Sequence, residues 1–570
     1  MRPSHATEDL PSAEMPMPSL RNALLLALLV LVPACTPERS VNATSPDAYD
    51  WTLRAERTDF AETARYDEVV AYLEQAAAVH PELHLTWFGY TNEGRALPLL
   101  VAGPVEDGSP ESVRAASAER GLPVLYLQGN IHSGEAAGKE ALLRLVRDMA
   151  HGERPELFDD LILLIGPIYN ADGNERVDLG NRPRQHGPIG GMGTRPNAQG
   201  LDLNRDQMKL DAPEARSLAR LMTEWDPHVL VDLHTTNGTR HAYHLTYSPP
   251  LHPATPSSID DLLRDGFFPE ATRNFEETHG WHIWHYGNVS TRGGERGWYT
   301  FDHRPRFVTN YTGLRNRIGI LSEAYSYLTF EDRILASERF VEEILAWSRA
   351  NGERIVRVVR DEDARDLRGS RIAVRGGFPE RGSEHPILMG AVEEEPHPFT
   401  GQTILRRIEV VETDPMPAFV HFVGTEEETV PYAYLLPAEL SPVVERLRAH
   451  GVRVESGEAG VALDVGPDGA PAGGFQRFRI DGMAVSEQPF QGRNEVVLEG
   501  AWGAIEAGEA LEPGTSLAEW YVVPMDQPRA RLAFLLLEPR ADDGFLNWGI
   551  LDSWLEEGED YPIRRVVGGG

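Results

Sequence analysis

Residues 123–150, PVLYLQGNIHSGEAAGKEALLRLVRDMA, constrain the fold more than any other stretch of the chain. The apolar run at 124–128 is typical of a buried strand, and the spacing from about residue 136 predicts an amphipathic helix. The short polar turn between them carries His132 and Glu135. Ligands of open α/β sheets bind in the crevice outside the carboxyl ends of the strands, so a ligand site is expected at this turn.

Further apolar runs repeat the pattern of a strand buried on both faces. They lie at residues 161–168 (LILLIGPI), 228–233 (HVLVDL) and 318–322 (IGILS). Helical spacing recurs between and after them, at residues 213–225, 259–279 and 331–350. This alternation predicts an α/β fold with a mixed, mostly parallel sheet flanked by helices.

Three of the predicted strands end at residues that could share one metal ion: His132 with Glu135, His234, and Glu323. Two histidines and one glutamate suit zinc with an open position for water, and another carboxylate could accept that water's proton. Each residue alone has a simpler explanation, as a hydrogen-bonded turn histidine, a helix-capping acid or a surface acid. Their coincidence at strand ends favours a shared metal site.

Five segments also resemble, in family order, the motifs of the zinc metallocarboxypeptidase (funnelin) family. Residues 129–135 (GNIHSGE) are similar to its H-x-x-E zinc motif, and residues 200–205 (GLDLNR) to its G-x-D-x-N-R segment. Residues 170–173 (NADG) resemble its N-P-D-G turn, with alanine in place of proline. The third-ligand strand and the catalytic glutamate are matched by residues 232–234 (DLH) and 322–323 (SE). The resemblance covers about residues 66–350.

The resemblance implies one zinc ion per chain, held by His132, Glu135 and His234. It implies that Glu323 acts first as general base and then as general acid. The reaction expected from the family is hydrolysis of the C-terminal peptide bond of a peptide by metal-activated water.

The same resemblance implies that Asn204 and Arg205 bind the terminal carboxylate of the substrate, a task that suits a planar and always charged guanidinium. The residues alone leave an alternative open, because Arg205 could form a surface ion pair with Asp202 or Asp206. The expected partner is therefore a peptide with a free C-terminal carboxylate.

Two further family roles fall on several candidates in this chain. Arg182 and Arg184 precede the carboxylate-binding segment and compete for polarisation of the scissile carbonyl, with Arg315 as a third possibility. Tyr299 and Tyr311 compete for the role of the tyrosine that covers the bound substrate, and both could equally be aromatics of the core or of the cavity rim. We expect Tyr311 to contribute to the pocket.

Residues 23–32 (ALLLALLVLV) form an apolar run that is too short to span a bilayer and has the length of a signal-peptide core. Acidic residues precede it, so translation is expected to start at Met15 or Met17. The sequence Val-Pro-Ala-Cys that ends at Cys35 resembles the lipobox of bacterial lipoproteins. We therefore expect a bacterial, exported protein in the periplasm or cell envelope, with membrane attachment only through a lipidated Cys35.

A run of charged residues at 352–369 separates two styles of sequence, and β-rich segments at 418–422, 475–480 and 532–537 follow it. One helix, at 441–450, interrupts them. The predicted organisation is a signal segment (1–35), a tether (36–60), a zinc carboxypeptidase-like catalytic domain (61–355) and a C-terminal α+β accessory region (356–570).

The chain has 54 basic and 88 acidic residues, a formal net charge of −34. Nucleic acid is excluded as a partner, because phosphate binding requires clustered basic residues. No protein partner is indicated either. Two alternatives to a metallocarboxypeptidase remain at this point: an amidase acting on cell-wall stem peptides or acylated amino acids, and a non-catalytic binding lipoprotein that kept the fold.

Overall fold

An eight-stranded mixed sheet lies at the centre of the N-terminal part of the chain. Its strands, in chain order, are β1 (Leu83–Tyr90), β2 (Ala96–Ala102), β3 (Val124–Gly129), β4 (Ile162–Gly166), β5 (Val229–Thr236), β6 (Leu245–Ser248), β7 (Ile283–His285) and β10 (Ile318–Tyr325). Their order across the sheet is β1-β2-β4-β3-β5-β10-β6-β7, and the four central strands β4, β3, β5 and β10 are parallel. The computed structural model describes residues 46, 49–236, 238–457, 474–505 and 520–568. The predicted signal segment and lipobox lie outside these described residues.

Helices cover both faces of this sheet, and the last two described helices pack in the core of the C-terminal part. Within the described residues they are α1 (Arg54–Arg57), α2 (Tyr66–Val79), α3 (Pro110–Arg120), α4 (Ala137–Ala150), α5 (Pro155–Asp160), α6 (Ala171–Glu175), α7 (Pro213–Glu224), α8 (Ser257–Asp261), α9 (Phe268–His279), α10 (Val308–Leu314), α11 (Phe330–Ala350), α12 (Gly352–Asp363), α13 (Ser441–Ala449) and α14 (Ala530–Leu537). A π-helical turn joins α8 to α9, where the sequence predicted one continuous helix.

The central strands are buried on both sides, as their continuous apolar runs predict. In β3, Leu125 and Leu127 belong to one core cluster, with side chains of α2, α4 and α11. Tyr126 between them faces a second cluster, built largely with α7. Truncating one such leucine to alanine would cost about 2–5 kcal/mol, because the surrounding atoms cannot close the cavity. The predicted α/β architecture is confirmed.

The C-terminal part is rich in β-structure, as predicted. Its strands, with two from the middle of the chain, are β8 (Asn288–Arg292), β9 (Glu295–Tyr299), β11 (Arg371–Gly377), β12 (Ser383–Pro396), β13 (Thr403–Phe419), β14 (Val423–Thr429), β15 (Ala433–Pro437), β16 (Glu455–Ser456), β17 (Phe475–Val485), β18 (Val496–Ile505), β19 (Trp520–Pro524) and β20 (Arg564–Val566). They form sheets of order β12-β13-β9-β8, β16-β19-β15-β20-β17-β18 and β11-β14.

One predicted strand, residues 532–537, is wrong and lies in helix α14. Every residue of this helix is buried, in a core shared with α13 and strands of the six-stranded sheet. Burial on all sides removes the polar face that would have revealed the helical period, and a short apolar run then fits a strand or a helix equally well.

The C-terminal part packs directly against the central sheet, and residues from 46 onward belong to one compact unit. Strand β13 pairs with β9 across the predicted domain boundary. Asp226, before β5, accepts two 2.7 Å bonds from Arg317 and one of 2.8 Å from Arg529. Tyr311 and Arg315 of the α10 segment both bond His450, which follows α13. The boundary near residue 355 stays a prediction, but the two parts are not joined by a flexible hinge of few contacts.

No helix among the described residues has both the length and the apolar composition needed to cross a membrane.

Candidate active site

The strand-end residues singled out from the sequence converge on one cavity of about 450 Å³. His132 and Glu135 lie in the turn between β3 and α4, and His234 lies near the end of β5. Glu323 of β10 is the direct neighbour of His234 in the register of the two parallel strands. All four side chains line the cavity. Adjacent parallel strands therefore bring together residues that are almost 200 positions apart.

His132, Glu135 and His234 form a set that could hold a metal ion. One ligand atom from each lies within 4.8 Å of the other two. Glu135 stands between the histidines, with Oε1 3.2 Å from Nδ1 of His132 and Oε2 3.0 Å from Nδ1 of His234. Two imidazole nitrogens and one carboxylate are a common donor set of catalytic zinc sites.

Two further carboxylates fix the orientation of the histidine rings. Oδ1 of Asp202 lies 3.0 Å from Nε2 of His132, and Oδ2 of Asp232 lies 2.7 Å from Nε2 of His234. A proton on each Nε2 would leave each Nδ1 lone pair on the side of Glu135, where a metal ion could bind. Such carboxylate–histidine pairs orient metal ligands and raise their basicity.

Hydrogen bonds hold both of these carboxylates in place. Gln128 of β3 donates a 2.9 Å hydrogen bond to Oδ1 of Asp232. Asp202 accepts a 2.9 Å bond from the backbone N–H of Asn204. The motif positions of both aspartates were visible in the sequence, but their role as ring-orienting acids was not predicted.

The electrostatics of the site favour a bound cation. Burial disfavours a charged His234, but Asp232, Glu135 and Glu323 outweigh burial and hold the pKa of its imidazole well above the ordinary value. Burial likewise opposes ionisation of Glu135, yet Arg182 and His132 keep its pKa well below the ordinary value. Within the described residues, Nδ1 of His132 is buried without a hydrogen bond. An unpartnered lone pair among buried carboxylates fits a divalent metal, so the residues present are suited to zinc.

Glu323 differs from the other carboxylates of the cavity. Burial raises its pKa to about 7, with a further contribution from Glu135, against the opposing effects of His234, Arg182 and Arg195. A carboxylate in such an environment can both take up and release a proton near neutral pH.

Asn204 and Arg205 also line the cavity. Oδ1 of Asn204 accepts a 2.8 Å hydrogen bond from the backbone N–H of Val308. The guanidinium of Arg205 lies over the ring of Phe307, 3.9 Å from its centroid, and donates to the Asn204 carbonyl.

The alternative explanation of Arg205 as an ion-pair partner does not hold. Asp202 pairs with Arg195, at 2.9 Å, and Asp206 pairs with Lys209. In the part of the chain that the structure describes, no carboxylate forms an ion pair with Arg205. Asp202 and Asp302 act on its charge only from beyond ion-pair distance, and the guanidinium lines the cavity.

The two arginines predicted before this segment lie outside the cavity lining. Arg182 donates 2.7 Å to Oε1 of Glu135 and 2.9 Å to the carbonyl of Thr235, so it supports a metal ligand. A side chain at Gly134 would clash with Arg182, since an added Cβ would lie 2.6 Å from its Cδ. The side chain of Arg184 is exposed, and Arg315 is buried in bonds to His450, Met222 and Tyr311.

Arg195 is the arginine that sequence reasoning missed. It lines the cavity, with Nη2 2.9 Å from Asp202 and Nη1 3.6 Å from Glu135. These acids more than compensate for burial and raise the pKa of the guanidinium. Its position in the loop just before Asp202 was the only available signal, because nothing in that glycine- and proline-rich stretch indicates which arginine turns inward.

The expectation for Tyr311 is corrected. Its ring is buried, and its hydroxyl lies 2.9 Å from Nδ1 of His450 and accepts 2.9 Å from Arg315. Tyr299 stacks on Phe419, 4.5 Å between centroids, and also lies outside the cavity lining. The tyrosine that lines the cavity is Tyr286, just after β7.

Comparison with known proteins agrees with this geometry. Residues 69–300 match the family model described as zinc carboxypeptidase. The chain is 23% identical to "Carboxypeptidase 2" of Trichophyton rubrum over 517 residues, which cover 84% of this chain and 83% of the fungal protein. It is 33% identical to human "Carboxypeptidase D" over 180 residues, 27% of this chain and 13% of that protein.

Two solved structures are similar in part. The carboxypeptidase A of Helicoverpa armigera has a TM-score of 0.39 at 16% identity, over 55% of this chain and 77% of that chain. A metallo-carboxypeptidase from Burkholderia cenocepacia has a TM-score of 0.37 at 17% identity, over 50% and 68%.

The family match contains His132, Glu135 and His234, and the structure brings these same three side chains to one point. Zinc is accordingly the cofactor for which this site is built. The sequence matches and the donor set together indicate a metal-dependent hydrolase of the metallocarboxypeptidase type.

Proposed function

We propose that this protein removes the C-terminal residue of peptides by zinc-dependent hydrolysis, with Glu323 as the proton-transferring group. The observation that carries the proposal is the composition of one cavity. It combines a His–Glu–His metal set, a carboxylate of raised pKa, and an arginine, Arg205, that forms no ion pair with a described carboxylate.

The unpaired arginine supports an exopeptidase rather than an endopeptidase. Arg205 offers parallel N–H donors, which bind a carboxylate in two-point fashion, and its stacking on Phe307 fixes the plane of the guanidinium. The neighbouring amide of Asn204 is oriented by its bond to Val308. A substrate with a free terminal carboxylate supplies the missing negative charge.

His132, Glu135 and His234 would hold the metal, and a zinc ion there supplies Lewis acidity that activates water and polarises a carbonyl. Glu323 takes the proton of the attacking water and later delivers it to the departing amine, and burial raises its pKa, which favours uptake of that proton. Arg195 lies beside the metal set and donates to the oxygen on which negative charge develops.

Four other residues complete this assignment. Asp202 and Asp232 hold the two imidazole rings in the tautomer that leaves Nδ1 free. Tyr286 is the candidate for covering the bound substrate, because its ring lines the cavity. Arg182, which is outside the cavity lining, donates to Oε1 of Glu135 and so neutralises and positions this carboxylate.

The test compares matched peptides with a free and an amidated C-terminus, with and without a zinc chelator. We expect release of the last residue from the free acid only, loss of activity on chelation and recovery with zinc. Glu323→Gln should lower kcat by at least about 100-fold while zinc content stays at one per chain. Cleavage of the amidated peptide at the same rate would reject the carboxypeptidase assignment, and activity confined to N-acylated amino acids would favour the amidase.

Export and lipid anchoring form a separate part of the proposal. They are supported by the apolar run at 23–32 and by the lipobox-like residues that end at Cys35. Cys35→Ser should release the protein from the membrane fraction of a bacterial host and remove labelling by radioactive palmitate. Equal fractionation of the variant and the parent chain would contradict lipid attachment.

A further inference from the structure

One turn of the C-terminal part reaches into the substrate cavity. Residues 490–493, here called the 490–493 turn, lie between β17 and β18, far in sequence from the metal ligands. The N–H of Phe490 donates 2.7 Å to the carbonyl of Arg493, and the reverse bond is 3.1 Å. Gln491 and Gly492 both have positive φ, +52° and +80°, the combination of a type I′ turn. The two backbone hydrogen bonds between Phe490 and Arg493 close the turn, and the side chain of Phe490 lines the cavity.

Contacts with the N-terminal part hold the 490–493 turn in place. Arg493 forms two bonds with Asp211, of 2.6 and 2.7 Å. The side-chain oxygen of Gln491 accepts a 2.7 Å bond from the backbone N–H of Asp202. A non-glycine residue at positive φ is uncommon, and this bond contributes to holding Gln491 in that conformation.

Phe490 is a wall of the cavity and is not buried in the core. It lines the cavity, and 43% of its surface is exposed. Its ring is stacked with that of Trp548, with 6.1 Å between the two centroids. The guanidinium carbon of Arg306 lies 5.1 Å from the centroid of the Phe490 ring. Asp543 neutralises that guanidinium with bonds of 2.7 and 2.9 Å. The positive charge of Arg306 beside the Phe490 ring is thus neutralised within the protein.

Four apolar side chains line the same cavity as Arg205: Phe301, Phe307, Leu321 and Phe490. The charged residues Asp302 and Arg306 also line it, and both are paired within the protein. Asp302 lies 3.4 Å from a ring nitrogen of His303 and 3.7 Å from Arg304. A substrate carboxylate at Arg205 would therefore bring the neighbouring side chain into a cavity that offers apolar contacts, and these two charges are already neutralised.

We propose that Phe490 is a specificity-determining residue, and that the 490–493 turn selects substrates whose C-terminal side chain is large and apolar. This inference rests on the proposed carboxypeptidase activity. It gives the C-terminal part a direct role in substrate choice, which the term accessory region does not convey.

The test uses the full-length zinc-loaded enzyme and blocked dipeptides that differ only in the last residue: Phe, Leu, Ala, Lys or Glu. We expect the parent enzyme to prefer Phe and Leu. Phe490→Ala should lower kcat/KM for Phe and Leu by about 10-fold or more and for Ala by no more than about 2-fold, because only a large side chain reaches the lost ring. Phe490→Leu should recover most of the loss.

Phe399→Ala is the matched control, since Phe399 is also an aromatic side chain of the C-terminal part and is 67% exposed outside the cavity. It should change none of the ratios. Preference of the parent enzyme for Lys or Glu, or an equal loss on all substrates in Phe490→Ala, would overturn the inference.

Binding of free L-phenylalanine and L-alanine, measured by calorimetry, separates this inference from the proposed function. If no peptide is hydrolysed, the proposed function fails, and the binding data still decide the role of Phe490. Weaker binding of L-phenylalanine, but not of L-alanine, to Phe490→Ala would support the apolar pocket. Unchanged binding of both would overturn it.

Discussion

The side chain of Gln491 accepts a hydrogen bond from the backbone N–H of Asp202, at 2.7 Å, although the two residues are 289 positions apart. Asp202 in turn orients the ring of His132. A turn of the C-terminal part is therefore two contacts away from a predicted zinc ligand. Substitutions in this turn are therefore expected to change the zinc affinity, although no residue of the turn is a predicted metal ligand.

Substitution of Gln491 tests this connection. Gln491→Gly removes the bond to Asp202 but suits the positive φ, so the turn should persist and the free energy of unfolding should change by no more than about 1 kcal/mol. Zinc affinity should fall by roughly 3- to 10-fold, less than for direct loss of a ring-orienting carboxylate. Competition with a zinc chelator measures this change. Gln488→Ala, in the same loop and exposed, is the control, and equal affinity in both variants would show that the bond carries nothing to the metal site.

Asp232→Asn should have a stronger effect on the metal. The carboxylate lies 2.7 Å from Nε2 of His234 and is fully buried. An amide can accept only through its oxygen and presents a competing N–H₂, so the ring loses its fixed tautomer. Zinc affinity should fall by about 10- to 100-fold. The exposed Asp361→Asn serves as the reference, and parent-like zinc affinity in Asp232→Asn would remove the proposed orienting role.

Arg205→Met should separate substrate binding from chemistry. Loss of the unpaired guanidinium should raise KM for free-acid peptides by about 10- to 100-fold, since charge-assisted bidentate bonds are among the strongest polar contacts. Arg205→Lys should recover only part of this, because an ammonium lacks the planar pair of donors. Steady-state kinetics on free and amidated peptides measure both effects. Arg360→Met, at an exposed arginine, is the control and should leave KM and kcat unchanged. A purely lowered kcat in Arg205→Met would instead point to a role in the chemical step.

The sequence was sufficient to predict the fold class and to group the residues of the candidate metal set. Alternating apolar runs and helical spacing define a mostly parallel sheet, and parallel strands deliver the residues at their carboxyl ends to one edge. His132, Glu135, His234 and Glu323 could therefore be grouped before any coordinates were known.

The residues that line the rest of the cavity could not be predicted, because loops and distant contacts decide them. Arg195 lies in a long irregular loop, where side-chain direction follows no period. Tyr311 has the expected position in sequence, but packing against His450, 139 residues later, turns it into the core. Phe490 belongs to a part of the chain for which no family motif was recognised.

Acid stability provides a last prediction, at His450. Burial lowers the pKa of this histidine to about 3, with Arg315 and other arginines adding to the effect. Nε2 lies 3.1 Å from the carbonyl of Met208 and Nδ1 lies 2.9 Å from the hydroxyl of Tyr311, so the neutral ring already uses both nitrogens. Protonation would place a positive charge beside Arg315 without a partner.

The sign of the pH dependence follows from these two states. Between pH 6.5, the ordinary pKa, and about 3, the unfolded chain binds a proton at His450 that the folded protein does not. The free energy of unfolding should therefore fall as the pH is lowered through this window, by about 1.4 kcal/mol per pH unit from this group. His450→Gln should cost stability at pH 7 and make the decline from pH 6 to 4 shallower by about that amount, in urea denaturation at each pH. His279→Gln, at the end of α9 and only partly buried, is the control. Its free energy of unfolding should decline from pH 6 to 4 more nearly as that of the parent does. Parallel declines in His450→Gln and the parent would show that the ring is not held neutral by its surroundings.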